Sequence, residues 1–407
     1  MISVHNEPQP TDLGDVRVAN RAVVLRHVRV HAPCSRADIA ARTGLNKATV
    51  SSLVSELIER RLVRETGLTE NRIGRPATML VLDGEPYAAV GMEIRADELV
   101  VVAVDLAGNR LLTWRRAFTP TDSPTDTVRV LATLARRAVA RIVEQDRTVL
   151  GLTVGVPGLV DTTGAVPLAT SLGWRDVALA AELRAALGDP EPGYPVSVDN
   201  EANLAALAEY RHGRHAGTPD LVHLTGGTGV GAGVISAGRL LRGGRGLAGE
   251  IGHLPLDPGG PVCACGRAGC VEAFVGLPAV ARRLLPDTAE EGPVTDYLPE
   301  LDRIQALARQ GDPRVRAGLT EVGRRLGHAV SLVVNLVDPE VVLVGGHFAA
   351  LSTWLLPPAR QELAARAIAP DAGGLRLDAS VLGATATALG GATAALAAIE
   401  SGRLPAR

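Results

Sequence analysis

Apolar positions follow two different rhythms along the 407 residues of the chain. From Asp15 they recur every three or four residues, as Val18, Ala22, Leu25 and Val28, then Ile39 and Ala40, then Val50, Leu53, Val54 and Leu57. That spacing puts one apolar stripe on each of three short helices. Ser35 with Asp38 three positions later predicts the second helix's start, Gly44 its stop, and Asn46 the cap of the third. Residues 1–14 are polar and contain proline, and are expected to form a disordered tail. Segments 62–66 and 78–82 read as two strands around a loop with Arg72, Gly74, Arg75 and Pro76. Three helices followed by such a wing make a winged helix-turn-helix over residues 15–82.

Beyond Asp83-Gly84-Glu85-Pro86 the rhythm changes to short, mostly apolar runs at 90–94, 99–104, 149–156, 196–198, 221–224 and 341–344. Several end in glycine turns, such as Pro157-Gly158, the Thr225-to-Gly233 loop and Gly345-Gly346, and Ala/Leu-rich helical stretches separate them. The pattern predicts a mixed α/β body with its site at the strand ends. With aromatics at 2%, its cores must be built from Val, Leu and Ala.

Charge adds to the division. The formal net charge is −2, but residues 1–80 hold 12 basic against 8 acidic side chains and the remainder 30 against 36. A basic head on an acidic body suits a DNA-binding module. The third helix presents a small, polar face away from its apolar stripe, as insertion into a major groove requires. Lys47, the single lysine among 41 arginines, opens that helix. Lys47, Ala48, Thr49, Ser51, Ser52 and the wing's Arg75 are the candidate DNA contacts; the alternative is a three-helix protein-interaction module. Sparse cysteine and the lack of a leader or an apolar run of membrane-spanning length predict a cytoplasmic protein with no membrane partner.

The most specific chemistry lies in Gly-Glu-Ile-Gly-His (249–253) and Cys-Ala-Cys-Gly-Arg-Ala-Gly-Cys-Val-Glu (263–272). His253, Cys263, Cys265 and Cys270 form the donor set of one structural Zn²⁺ per chain, and Gly266 and Gly269 allow the tight loop it needs. The alternatives are three free thiols, or a disulfide with one thiol left over. Glu250 and Glu272 are hard oxygen donors, free for another task.

With the Gly-rich segment, Asp199-Asn200-Glu201-Ala202-Asn203 and the head, these motifs resemble the ROK family (repressors, open reading frames, kinases) in its transcriptional-regulator branch, over about 15–399. The resemblance implies an actin-like (ribonuclease H-like) two-subdomain sugar-kinase fold. Residues 87–198 would form the small subdomain, completed by a C-terminal helix 388–400, and 199–387 the large one, with zinc bracing a sugar cleft. It further implies a sugar site at Gly158, Asn200, Glu201, Glu250, His253 and Glu272; a ring of hydroxyls calls for such converging carboxylates and an amide. Helix capping is the other reading of Asn200 and Glu201, and support of the metal loop that of Glu250 and Glu272.

The family's kinases carry a phosphate hairpin, Asp-x-Gly-Gly-Thr, where this chain has Glu93-Ile94-Arg95-Ala96-Asp97. Both glycines are replaced, and Asp97 stands at the threonine position. Glu201 would be a vestigial catalytic acid, so no catalytic residue and no phosphotransfer are expected. Ser171 stands where sugar-binding relatives have asparagine. Three functions remain: a repressor answering a sugar or sugar phosphate, an ATP-dependent sugar kinase with a DNA-binding head, and a regulator governed by a protein partner. The first predicts a homodimer or homotetramer on an inverted-repeat operator in double-stranded DNA, and a head that can be removed without loss of the sugar site.

Overall fold

In the computed structural model, residues 12–68, 78–118, 123–188, 192–286, 297–369 and 374–405 are described. The head begins with α1 (Leu13–His31), a two-residue strand β1 (Cys34–Ser35), α2 (Arg36–Thr43) and α3 (Lys47–Glu59). Helix α1 starts earlier than the expected 1–14 tail allows. Asp12 accepts from the Asp15 amide while the Asp15 carboxylate accepts from the Asp12 amide, so a capping box draws residues 13 and 14 into the helix. Ser35 and Asp38 make the same box on α2, Gly44 closes α2 in the left-handed conformation, and Asn46 caps α3 through the Thr49 amide. Strands β2 (Val63–Leu68) and β3 (Thr78–Leu82) pair antiparallel, with Val63 opposite Leu82. The loop that joins them, with Arg72 and Arg75, lies outside the described residues.

The body opens with β4 (Tyr87–Ile94), β5 (Glu98–Asp105) and β6 (Arg110–Ala117). Then come α4 (Pro124–Val143), β7 (Thr148–Val156), the hairpin strands β8 (Val166–Ala169) and β9 (Trp174–Val177), α5 (Leu179–Leu187) and β10 (Val196–Asn200). Five of these strands form a sheet in the order β10-β7-β4-β5-β6. Every residue of β5 is buried, which is why that run reads as unbroken apolar sequence. The outermost strand, β6, is mostly exposed and carries Arg110, Arg115 and Arg116, charges that discourage pairing with another edge.

The second half contains α6 (Glu201–His212), β11 (Leu221–Gly226), β12 (Val230–Ser236) and β13 (Arg239–Leu240). It continues with α7 (Val271–Val275), α8 (Leu277–Leu284), α9 (Leu298–Gln310) and α10 (Pro313–Val337). After β14 (Val341–Gly346) follow α11 (His347–Ala350), α12 (Ser352–Arg366) and β15 (Arg376–Ala379). Its sheet has the order β13-β12-β11-β14-β15. The expected C-terminal helix 388–400 is two: α13 (Ala386–Ala395) and α14 (Ala397–Glu400), with a break at Leu396.

Helices α6 and α13 lie between the two sheets and fix their spacing through glycines. A Cβ at Gly390 of α13 would fall 1.8 Å from the Leu204 carbonyl oxygen of α6, and one at Gly91 of β4 1.8 Å from the Ala388 oxygen of α13. On the other side, a Cβ at Gly233 of β12 would meet the Ala202 oxygen at 2.4 Å. No side chain fits at such contacts, so backbone packs on backbone.

The head is not a bead on a linker. Val24, Leu25, Val28, Ile39, Val50 and Leu57 belong to one apolar cluster with Ala89, Val100, Val102, Val104, Leu396 and Ile399 of the body. Removing residues 1–82, expected to spare the sugar site, would uncover the side of α14 that packs on α1.

Candidate ligand cleft and metal centre

The metal loop is organised by backbone hydrogen bonds. Cys263 N donates to Arg267 O at 2.8 Å and Gly266 N to Cys263 O at 2.9 Å, closing a knuckle around Cys265. Gly266 and Gly269 take φ of +86° and +73°, and a Cβ at 269 would fall 1.7 Å from Asp257 O. A short 3₁₀ turn, Ile251–His253, brings the imidazole to the knuckle. The donor atoms of His253, Cys263, Cys265 and Cys270 all lie within 4.8 Å of one another. Two separations stand out: 3.7 Å between the Cys265 and Cys270 sulfurs, and 3.9 Å from Cys263 Sγ to His253 Nδ1. The edges of a tetrahedron with bonds of about 2.0–2.3 Å measure about 3.3–3.8 Å. The donor set therefore fits a tetrahedral metal ion, and sulfurs so far apart are not a disulfide. Cys34, the fourth cysteine, is buried in the head, away from this loop.

The cleft floor is the N-terminus of α6. Asn200 caps the helix, its Oδ1 accepting from Ala202 N at 2.8 Å and Asn203 N at 3.1 Å. Its Nδ2 donates to Gly158 O at 2.8 Å, which ties Gly158 to the helix through the carbonyl. The capping reading of Asn200 is thus realised, and its second amide N–H remains for a ligand. Asp199 is buried just before it; Arg242, from the loop after β13, reaches across and pairs with its carboxylate at 2.6 Å, linking the two halves of the body.

Glu201 is the first residue of α6, and burial raises its carboxyl to about 7, with Arg95 pulling the other way and Glu250 adding to the rise. Glu93 at the end of β4 is 7% exposed, and burial lifts it to about 8 against the pull of Arg95. One oxygen of Glu93 has no partner among the described residues. Arg95 occupies the turn of the β4–β5 hairpin. It donates to Glu98 at 3.1 Å and to the Ala384 carbonyl at 3.4 Å, with Glu93 at 3.9 Å. Glu98 is in turn gripped by both ends of the Arg115 guanidinium, at 2.7 and 2.8 Å. The hairpin that differs from the kinase pattern is thus a network of carboxylates crossed by two arginines.

Glu250 flanks Glu201 and, raised by burial, stands beside His253 and Glu272. Glu272 accepts from Val230 N at 2.9 Å and lies 3.3 Å from Cys263 Sγ, so it joins the metal loop to β12 with both oxygens engaged. Because His253 turns Nδ1 toward the sulfurs, its Nε2 is the ring atom left for a ligand. One glycine in each of the other two loops is packed by the protein itself: a Cβ at Gly226 would meet His347 at 2.5 Å, and one at Gly345 would meet His223 at 2.6 Å, while Gly227 faces open space. Ser171 sits exposed on a 3₁₀ turn beside β9.

In the head, Lys47, Ala48, Ser51 and Ser52 are exposed and Thr49 is half-buried. Ala48, Thr49 and Ser52 line a groove of about 390 Å³ with Val16, Arg17 and Asn20 of α1. Much of the head's basic charge is neutralised in place: Arg17 and Arg21 both pair with Glu56 at 2.8 Å, and Arg36 with Glu65 at 2.9 Å. Lys47 makes no such pair among the described residues. Sequence reasoning missed the pairs of Arg242 with Asp199 and Arg115 with Glu98, since long-range pairing leaves no local pattern, whereas the Arg95–Glu98 pair lies only three residues apart.

No helix among the described residues is long and apolar enough to cross a membrane. Residues 19–70 match the MarR family pattern, and residues 89–398 match that of the ROK family. The chain is 29% identical over 378 residues to the xylose repressor of Caldicellulosiruptor bescii, covering 91% of this chain and 94% of that one. It is 27% identical over 354 residues to the DNA-binding transcriptional dual regulator NagC of Escherichia coli K12, covering 84% of each. A solved ROK family transcriptional regulator, described as a homologue of the E. coli MLC protein, superposes with a TM-score of 0.80 at 26% identity, over 96% of this chain and 98% of that one. A winged head on a two-sheet body, matched to the family over three quarters of its length, makes this chain a member of the ROK family.

Proposed function

We propose that the chain is a sugar-responsive, DNA-binding transcriptional repressor that does not transfer phosphate. The observation that carries this reading is the Arg95 hairpin. A kinase needs backbone amides and space for three phosphates there, whereas this turn holds Glu93, Asp97 and Glu98 with the Arg95 charge already taken up by Glu98. With Arg95 engaged by Glu98 and carboxyl groups on either side of it, the turn offers an incoming phosphate no free cation. The packing of His347 and His223 against Gly226 and Gly345 gives those glycines a role in the fold alone.

Asn200, Glu201, Glu250 and His253 Nε2 would bind the sugar hydroxyls, with Glu272 and Gly158 holding the wall and floor in shape. His253, Cys263, Cys265 and Cys270 would hold one Zn²⁺, which on binding fixes the loop that carries Glu250 and Glu272. Lys47, Ser51 and Ser52 would face base edges, Ala48 and Thr49 the adjoining groove wall, and Arg75 the backbone or minor groove. One head neutralises few phosphates, so a homo-oligomer on an inverted repeat supplies the affinity.

Glu201, held near 7, suits a general base, and this favours a sugar kinase as the second reading. The test has two parts. The full chain selects operators from a random duplex library, and the selected DNA is titrated with and without D-xylose and N-acetyl-D-glucosamine; ADP release from ATP is followed with the same sugars. A sugar-dependent change in operator affinity without ADP release supports the repressor, and sugar-dependent turnover of several per second supports the kinase.

A further inference from the structure

The two ends of α6 touch different things. Its first residue, Glu201, lies in the cleft, and its last turn, about 16–18 Å away for twelve residues, reaches the head. There Arg211 pairs with Glu400 of α14, and the other oxygen of Glu400 lies 3.3 Å from Arg29 of α1. Two of the Arg211 nitrogens are buried without hydrogen-bond partners among the described residues, so Glu400 is the anion it is held by. His212 adds a contact of 3.0 Å to Thr393 of α13. Helix α13 in turn meets the cleft end of α6, where the Thr387 hydroxyl donates to Glu201 O at 3.3 Å.

Docking of the head does not depend on Glu400. Leu396 and Ile399 lie in the shared apolar cluster, Arg21 donates to Gly402 O, and Arg60 donates to Pro405 O at 3.3 Å. A Cβ at Gly402 would fall 2.1 Å from Val18 O, so this tail lies flat on α1. What Glu400 adds is a polar link between a helix that starts in the ligand cleft and a helix of the DNA-binding head. The glycine contacts of α6 with α13 and β12 leave it no room to bend locally, so a shift at Asn200 and Glu201 must appear at Arg211 as a movement of the whole helix.

We propose that Glu400 is the coupling residue of the molecule: held by Arg211 from the sensing body and by Arg29 from the head, it conveys the position of α6 to α1 and so makes operator affinity answer to the cleft. This deepens, and rests on, the reading of the chain as a sugar-responsive DNA-binding protein. It assigns Glu400, Arg211 and Arg29 to signal transmission, with none of them touching sugar or DNA.

The experiment compares the full-length wild-type chain with Glu400→Gln and with the double variant Arg211→Met/Glu400→Leu. The double variant replaces the Arg211 pair by apolar groups and leaves only Arg29, one quarter exposed, without its anion. The probes are D-xylose, N-acetyl-D-glucosamine and an operator fragment selected by the wild-type chain. Both variants are expected to bind sugar and sugar-free operator within about threefold of wild type, while the sugar-induced change in operator affinity, about tenfold or more in wild type, falls below about twofold. Glu400→Asp, which keeps the charge at shorter reach, should restore part of the response. A merely structural role would weaken sugar-free operator binding in step with thermal stability and leave the response intact, which overturns the proposal, as does an undiminished response in both variants. A wild-type chain that binds both probes with no response overturns the functional reading and this inference with it.

Discussion

Glu93→Gln gives the sharpest test of the electrostatics inferred for the cleft. Glu93 has one oxygen without a partner among the described residues, and burial raises it from 4.5 to about 8. Its folded pKa exceeds its unfolded one, so the folded chain keeps a proton that the unfolded chain releases. The contribution of this group is fully present below pH 4.5 and is lost as pH rises through about 8. At pH 7 the loss amounts to about 3 kcal/mol, and it approaches about 5 kcal/mol above pH 8, at 1.36 kcal/mol per pH unit. Glutamine has no proton to release. It keeps the shape and can still bond to Thr387, but Arg95 then has one fewer carboxylate to face. The variant should match or fall slightly below wild type at pH 5 and exceed it by about 3 kcal/mol at pH 8–9. Urea unfolding followed by circular dichroism at half-unit intervals of pH measures the difference curve, from which the similar slope of Glu201 cancels. Parallel curves from pH 5 to 9 would show that Glu93 ionises normally, and the inferred desolvation of its carboxyl would lose its basis.

Cys265→Ala should release the bound metal and lower the melting temperature, with sugar response failing before the fold does; full response from metal-free protein, measured by elemental analysis beside ligand titration, contradicts this. Lys47→Ala should weaken operator binding by about 1–3 kcal/mol if Lys47 reads a guanine, or uniformly across DNA sequences with a shallower salt dependence if it touches phosphate. Gly390→Ala sets a methyl group 1.8 Å from Leu204 O, so α6 and α13 must separate, and a loss of about 3 kcal/mol or more is expected in denaturant unfolding. A stable Gly390→Ala variant with an undisturbed sugar response would show that α6 is not held as tightly as its packing implies.

The parts of this molecule that were legible in sequence are those whose physics is local. Capping boxes at Ser35/Asp38, the αL stop at Gly44 and the Asn46 cap need only three or four residues, and each formed where expected. The metal loop was legible for the same reason: three thiols and two glycines close a knuckle within eight positions. The start of α1 was missed because the Asp12/Asp15 box lies in a segment whose prolines suggest disorder. Long-range pairing was the other blind spot. Arg242 with Asp199, Arg115 with Glu98, and Glu400 with Arg29 and Arg211 join segments that nothing in the local pattern connects. The union of head and body was hidden likewise, since the turn residues 83–86 read as a boundary while the apolar faces on either side of it meet in space.

The central claim is that one chain reads a sugar in the cleft and reports it through the head. The direct measurement is fluorescence anisotropy of a selected operator titrated with the full-length protein, with and without saturating sugar, on a sample in which sugar binding has been established calorimetrically. The account predicts a change in operator Kd of about 5–150-fold, with no consumption of ATP. The same Kd with and without sugar, on protein that demonstrably holds the sugar, would contradict it.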